Sequence, residues 1–212
     1  MTEKVFDYKK EYKEFYMPKD KPMLIDVPSM NFIMVDGNGD PNDNPEFENA
    51  VELLYGLSYT IKMSHKKGKQ PEGFFEYVVP PLEGLWWVED GQFSFDIRDN
   101  WKWTVMLRQP EFVTEEVFQW ACTEVSKKKP ELDIQLARFE NFEEGLCVQI
   151  LHKGPYETEP ESVALMDEFI RLEDLEDCLR TRGKHHEIYL SDPRKSKPES
   201  MKTVIRHPVA RK

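Results

Sequence analysis

The hydrophobic pattern changes period several times along the chain. "MNFIMVDG" (30–37) is an almost unbroken apolar run that ends in glycine, and it predicts a strand. "GNGDPNDNPEF" follows as a loop dense in Gly, Pro, Asn and Asp. Asn44 then offers an N-cap with Pro45 at the first helical position. Phe47, Ala50, Val51, Leu54, Leu57 and Ile61 recur at helical spacing, which predicts an amphipathic helix over 45–64. Strands are expected at 74–79, 84–89 and 101–109. Thr114 caps a second helix whose buried stripe is Val117, Phe118, Ala121 and Val125. The second half has a strand at 145–154, a loop "PYETEPE", and a helix lined by Val163, Met166, Phe169 and Ile170. Two more strands are expected, "HHEIYLSD" and 201–209. Ahead of all this, 1–29 reads as a charged, aromatic arm with a short helix near 8–16 and an extended stretch after it.

The two halves share an order. "VDGNGDPNDNPEFENAVELL" and "LHKGPYETEPESVALM" both run strand, glycine, acidic proline-bearing loop, helix. "FFEYVVPP" resembles "HHEIYLSDP", and "WTVMLRQP" resembles "KTVIRHP". The matches keep one sequence order, so the chain reads as two copies of a strand–helix–strand–strand unit, about 30–129 and 130–209, behind an arm at 1–29. One copy would leave a sheet with a bare face. Two copies side by side predict an α+β fold: one antiparallel sheet, helices on one face, a ligand cleft on the other.

Charge narrows the partners. The 40 acids outnumber the 29 Lys and Arg, for a formal charge of −11. Such a field repels phosphates, so neither nucleic acid nor an anionic membrane surface is an expected partner. Cys122, Cys147 and Cys178 are odd in number and widely spaced, which suits reduced thiols better than disulfides or zinc. The N-terminal stretch has no apolar core of signal-peptide length, and no apolar run approaches the ~20 residues that span a bilayer. A cytoplasmic protein is expected.

The strand "HHEIYL" carries the chemistry worth weighing. Alternation puts His185, Glu187 and Tyr189 on one face and Ile188 and Leu190 on the other. The apolar pair is expected to pack on the helices and the polar set to face the open side. Adjacent His185 and His186 point apart and cannot chelate one ion together, so no metal or cofactor is expected. Glu76 would be the counterpart of Glu187 in the first copy. Glu187 reads either as a solvated strand residue or as the acid of a pocket. Aromatics gather around these strands: Tyr55, Trp86, Trp103, Tyr156 and Tyr189, with His152 in "HKGP". Only one of Trp86 and Trp87 can face the cleft. An acid inside an aromatic box suits a flat, lipophilic or cationic small molecule, through stacking, cation–π attraction and one polar anchor.

"VDGNGDPN", "ELLYGLSYTIK", "YVVPPLEGLWW", "WTVMLRQPEFVT", "HKGPYETEP" and "HHEIYLSDPRKSKPESMKTVIRHPV" together resemble the GyrI-like small-molecule-binding superfamily, and its stand-alone bacterial subgroup most. The resemblance implies a duplicated strand–helix–strand–strand fold. The superfamily includes drug-sensing domains of transcription activators, in which a glutamate similar to Glu187 meets cationic lipophilic drugs. Residues 1–29 are too short for a winged helix-turn-helix, so direct control of transcription is not implied. The subgroup includes cyclopropanoid cyclopropyl hydrolases, which open the strained ring of DNA-alkylating natural products. By that resemblance Glu187, Tyr189 and Tyr156 are catalytic candidates. Tyr55, Trp86, Trp103, Glu76 and His152 are ligand-binding candidates. Two other readings stay open: a drug-sequestering protein without turnover, and a protein-interaction module of the gyrase-inhibitor type. The oligomeric state is not legible.

Overall fold

Asn44 and Pro45 start the first long helix as their positions demand. The Asn44 side chain accepts from the backbone N–H groups of Glu46 and Phe47, at 3.0 and 3.4 Å. Proline there loses no helical hydrogen bond. Thr114 starts the next in the same way, its hydroxyl accepting from Val117 N at 3.3 Å. The computed structural model describes residues 5–89, 94, 97–179, 181, 183–192 and 195–212.

In chain order the elements are β1 (Phe6–Asp7), α1 (Tyr8–Glu11), α2 (Lys13–Tyr16), β2 (Met23–Val27), β3 (Met30–Asn38), α3 (Pro45–Lys62), β4 (Tyr77–Val78), β5 (Leu82–Trp87), β6 (Lys102–Arg108), α4 (Glu115–Lys128), β7 (Ala137–Phe142), β8 (Gly145–Lys153), α5 (Glu159–Leu172), β9 (Leu175–Asp177), β10 (His185–Tyr189) and β11 (Lys202–Arg211). The large sheet runs β2-β8-β11-β10-β5-β6-β3-β7, with β9 paired to β11. Every pairing within it is antiparallel. This is the α+β architecture that the hydrophobic pattern predicts. Two runs of strand–helix–strand–strand, β3-α3-β5-β6 and β8-α5-β10-β11, meet where β5 pairs with β10.

Cross-strand partners share a face of the sheet. Register aligns His185, Trp86 and Trp103 in one row, and Ile205, Glu187, Gly84 and Val105 in the next. This is the helix face. Phe47 of α3 packs on Trp86 and Trp103 at 5.9 and 5.2 Å. Met166 and Ile170 of α5 are buried with Val148, Ile150, Ile205 and Val209.

The opposite face is not bare, which corrects the expected position of the cleft. The N-terminal arm straps across it. Tyr16 donates to Glu83 at 3.4 Å, Arg206 Nη2 to the Phe15 carbonyl at 2.6 Å, and Gln149 Nε2 to the Glu14 carbonyl at 2.7 Å. The Arg108 guanidinium lies 4.6 Å from both the Tyr8 and the Tyr12 rings. Under the strap, His186 bonds Glu144 at 2.9 Å and Glu83 at 3.0 Å. Ile188 belongs to this side, paired with Glu83 and Val204. Alternation sorts the residues of β10 as expected, but it is the Glu187 set that meets the helices.

The arm also differs from an extended tail. It forms two single helical turns, and then β2 joins the sheet as a partner of β8. The run 74–79 is not a strand of the large sheet. Only Tyr77–Val78 pairs, with Phe6–Asp7. Its rings are used instead against Phe112, with Phe74, Phe75 and Tyr77 at 5.2, 5.4 and 6.0 Å. The prolines that follow offer no N–H to a ladder.

Candidate functional site

Two glycines make room for two tryptophans. A Cβ on Gly37 would stand 2.1 Å from the Trp103 ring, and one on Gly84 would stand 2.8 Å from Trp86 Nε1 and 3.0 Å from the Tyr189 hydroxyl. The bare backbone of β3 and β5 therefore lets both indoles lie flat on the sheet. Trp86 also packs on Trp101 at 5.3 Å, and the Trp101 N–H donates to the Ser94 carbonyl at 2.9 Å. Trp87 points the other way, under Lys184 Nζ at 3.4 Å from the ring centroid. Trp86 is thus the member of the pair on the Glu187 side.

Glu187 is 6% exposed at the centre of β10, opposite Gly84. His185 Nε2 lies 2.9 Å from its Oε1, and His185 Nδ1 lies 2.8 Å from His207 Nε2. Burial and the neighbouring His185 push the pKa of His207 well below the usual histidine value, so His207 is neutral. His185 thus donates to Glu187 and shares a second hydrogen bond with His207. The Trp86 N–H donates to the Tyr189 oxygen at 3.1 Å. The Tyr189 hydroxyl in turn feels the charge of Glu187, two residues back on the same strand face. Tyr156 closes this side, its ring edge-on to Tyr189 at 5.9 Å. Burial, and then the charge of Glu187, hold both phenols above their ordinary range, so both are neutral donors.

The structure brings Glu187, Tyr189, Tyr156 and Trp86 together. Trp103 lies one strand further on, 1% exposed, as floor rather than wall. His152 is buried in a supporting position. Ser162 donates to its Nδ1 at 2.9 Å and its Nε2 donates to the Pro155 carbonyl at 3.1 Å. It therefore fixes the turn that carries Tyr156 and the start of α5. Tyr55 stacks on Tyr59 at 6.2 Å, and the α3 residue that meets the tryptophans is Phe47. Glu76 is not the counterpart of Glu187. It lies outside the large sheet, 40% exposed, in an ion pair with His65 at 3.1 Å. The strand facing β10 is β5, which offers Gly84 where an acid was expected.

Glu159, the first residue of α5, escapes a sequence reading. It is 1% exposed, with its carboxyl beside Glu187 and Thr203. Burial first, and the charge of Glu187 second, raise its pKa well above the usual carboxylate range. Glu159, His185 and Glu187 each place a ligand-type atom within 4.8 Å of the others. His185 bonds Glu187 at 2.9 Å and the Glu159 carboxyl lies beside both, so the three form one buried cluster. His186 points to the other face, as alternation requires.

A model of the GyrI-like small molecule binding domain matches residues 20–210. The chain belongs to this family. No curated protein matches it. Among solved structures, this GyrI-like domain is similar to an uncharacterized conserved protein from Listeria innocua, at 53% identity and TM-score 0.92, over 97% of this chain and all (100%) of that one. It is also similar to two structures described as hydrolases from Listeria innocua. One is 50% identical with TM-score 0.89, covering 97% of this chain and 100% of the other. The second is 51% identical with TM-score 0.91, covering 98% and 100%. As a GyrI-like domain the chain is a small-molecule binder. No helix of its described residues is long and apolar enough to cross a membrane.

Proposed function

We propose that this GyrI-like domain is a hydrolase of flat, lipophilic electrophiles, and that its substrates are cyclopropanoid DNA-alkylating compounds. The observation that carries this reading is Glu187: a buried carboxylate in a bond with His185 at 2.9 Å, beside Trp86 and Tyr189. The hydrolase description of relatives about half identical to this chain supports it.

The step is water addition. Glu187 accepts a proton from water as the water oxygen bonds to the unsubstituted cyclopropane carbon. The ring C–C bond breaks and its electron pair enters the conjugated ring, turning the carbonyl into a phenolate that takes up one proton. The net change is a gain of one water. The tyrosines divide the remaining work. Tyr189 is already bonded to Trp86 and stands beside Glu187, so it anchors the base. Tyr156 is the donor to the developing phenolate. The same box of rings and one acid accommodates cationic lipophilic ligands.

The test is incubation of the chain with a yatakemycin-type cyclopropanoid, followed by mass spectrometry. A product heavier by one water supports the reading. An unchanged compound that co-elutes with the protein would leave binding alone, and sequestration would be the function.

A further inference from the structure

We propose that Glu159 and Glu187 act as one carboxyl–carboxylate pair, with a single proton held on Glu159 at neutral pH and a single negative charge on Glu187. The proposal deepens the reading above, but its evidence is the geometry of the pair.

The two carboxyl groups are 1% and 6% exposed and place oxygens within 4.8 Å of one another, so they cannot both be ionised without a large electrostatic cost. Their partners decide which keeps the proton. Glu187 receives His185 at 2.9 Å, with the Tyr189 hydroxyl and the Glu159 carboxyl beside it. A carboxylate accepts donors more strongly than a carboxylic acid does, so the better-supplied group is the one that stays ionised. Glu159 has Thr203 beside its carboxyl, and its Oε1 has no hydrogen-bond partner among the described residues although it is buried. An ionised carboxylate with an orphaned oxygen is costly, and a protonated one is much less so.

Neutral His207 stands behind His185, and Tyr156 and Tyr189 flank Glu187 as neutral phenols. Glu157 and Asp192 add negative charge near Tyr156, which further disfavours a second ionised carboxylate. Arg98 acts on Glu159 in the opposite direction, as the smallest of the influences on it. The cluster therefore carries one negative charge. That charge matches a ligand with one positive charge, or a neutral electrophile whose hydrolysis moves one proton to Glu187. Glu159 is a positioning residue in this scheme: it acts through Glu187.

Infrared difference spectroscopy of the full chain, without ligand, tests the pair directly. The expected result is a C=O band of a buried, protonated carboxyl at neutral pH that is lost in Glu159→Gln. Absence of the band in the wild type overturns the proposal, whether or not the variant folds. Its survival in Glu159→Gln overturns it as well, since the proton would then lie elsewhere. A second readout is the pH profile of cyclopropanoid hydrolysis. The wild type should lose rate on the alkaline side as Glu159 ionises, and Glu159→Gln should lack that limb. Coincident profiles would overturn the proposal. The spectrum does not depend on turnover, so failure of the hydrolase reading and failure of the pair are seen separately.

Discussion

The indole N–H of Trp86 reaches the hydroxyl of Tyr189 at 3.1 Å, directly over Gly84. This bond exists because β5 has no side chain at that point. Gly84→Ala should therefore act on the site and not only on the strand. The new methyl meets the Trp86 nitrogen and the Tyr189 oxygen inside normal contact distance. Overpacking of this kind costs about 1–3 kcal/mol. The expected outcome is a lower melting temperature together with weaker binding of a cyclopropanoid. Wild-type affinity in a destabilised Gly84→Ala protein would show that the Trp86–Tyr189 bond plays no part in the pocket.

Glu187→Gln keeps the size and planarity of the side chain and removes the base. Hydrolysis should fall by about 10²–10⁴-fold, the range typical of a lost general base. Retention of the compound on the protein should survive, because the rings remain. Mass spectrometry of product together with a binding titration separates the two. Unchanged turnover with normal binding would falsify the assignment of Glu187.

What the chain discloses in advance follows from which interactions are local. Caps, helical stripes and strand alternation depend on neighbours in sequence, so α3, α4 and the sorting of β10 into two faces are legible. The face that each set occupies is not. A buried Glu187 looks like a solvated one until its donor His185 and its neighbours Tyr189 and Glu159 are placed, and Glu159 comes from a helix well separated in sequence. Glu76 misleads for a related reason. Its aromatic segment alternates like a strand, but the rings are consumed by Phe112 and the acid by His65. The bond between His185 and His207 had one available signal, the recurrence of histidine on two strands that turn out to be neighbours.

The buried His186–Glu144 pair should set the pH dependence of stability. Burial opposes the charge on His186, but the Glu144 carboxylate, by charge and hydrogen bond, and Glu83 outweigh it and raise the pKa from 6.5 to about 9. His186 therefore contributes fully below pH 6.5, and the contribution is lost as pH rises through 9. For Glu144 burial works upward, but His186 and Arg206 together lower its pKa from 4.5 to about 2. Its contribution is present above pH 4.5 and is lost as pH falls through 2. Both are in force between pH 4.5 and 6.5, so this pair gives its maximum there. Melting temperature across pH 2 to 10, compared between wild type and His186→Gln, measures it. A wild-type decline from pH 6.5 to 9 that persists unchanged in His186→Gln would assign the effect to other groups.

The N-terminal strap should be part of the stability of the sheet and not a loose tail. Tyr16 is 1% exposed, and its hydroxyl meets Glu83, which also receives His186. Two truncations separate the ring from the hydroxyl. Tyr16→Phe keeps the packing and removes one donor to a buried carboxylate, at a cost of about 1–3 kcal/mol. Tyr16→Ala also empties the space under the strap, and loss of a large buried aromatic costs about 3–5 kcal/mol. Chemical denaturation of both variants should show that order, with a larger drop in midpoint for Tyr16→Ala. Hydrogen exchange should then quicken first at the amides of α2 and next at β5, where the Glu83 carboxylate would meet water. If both variants unfold at the wild-type midpoint, the strap carries no net stability, and the buried pair of His186 and Glu144 must be held by the sheet alone.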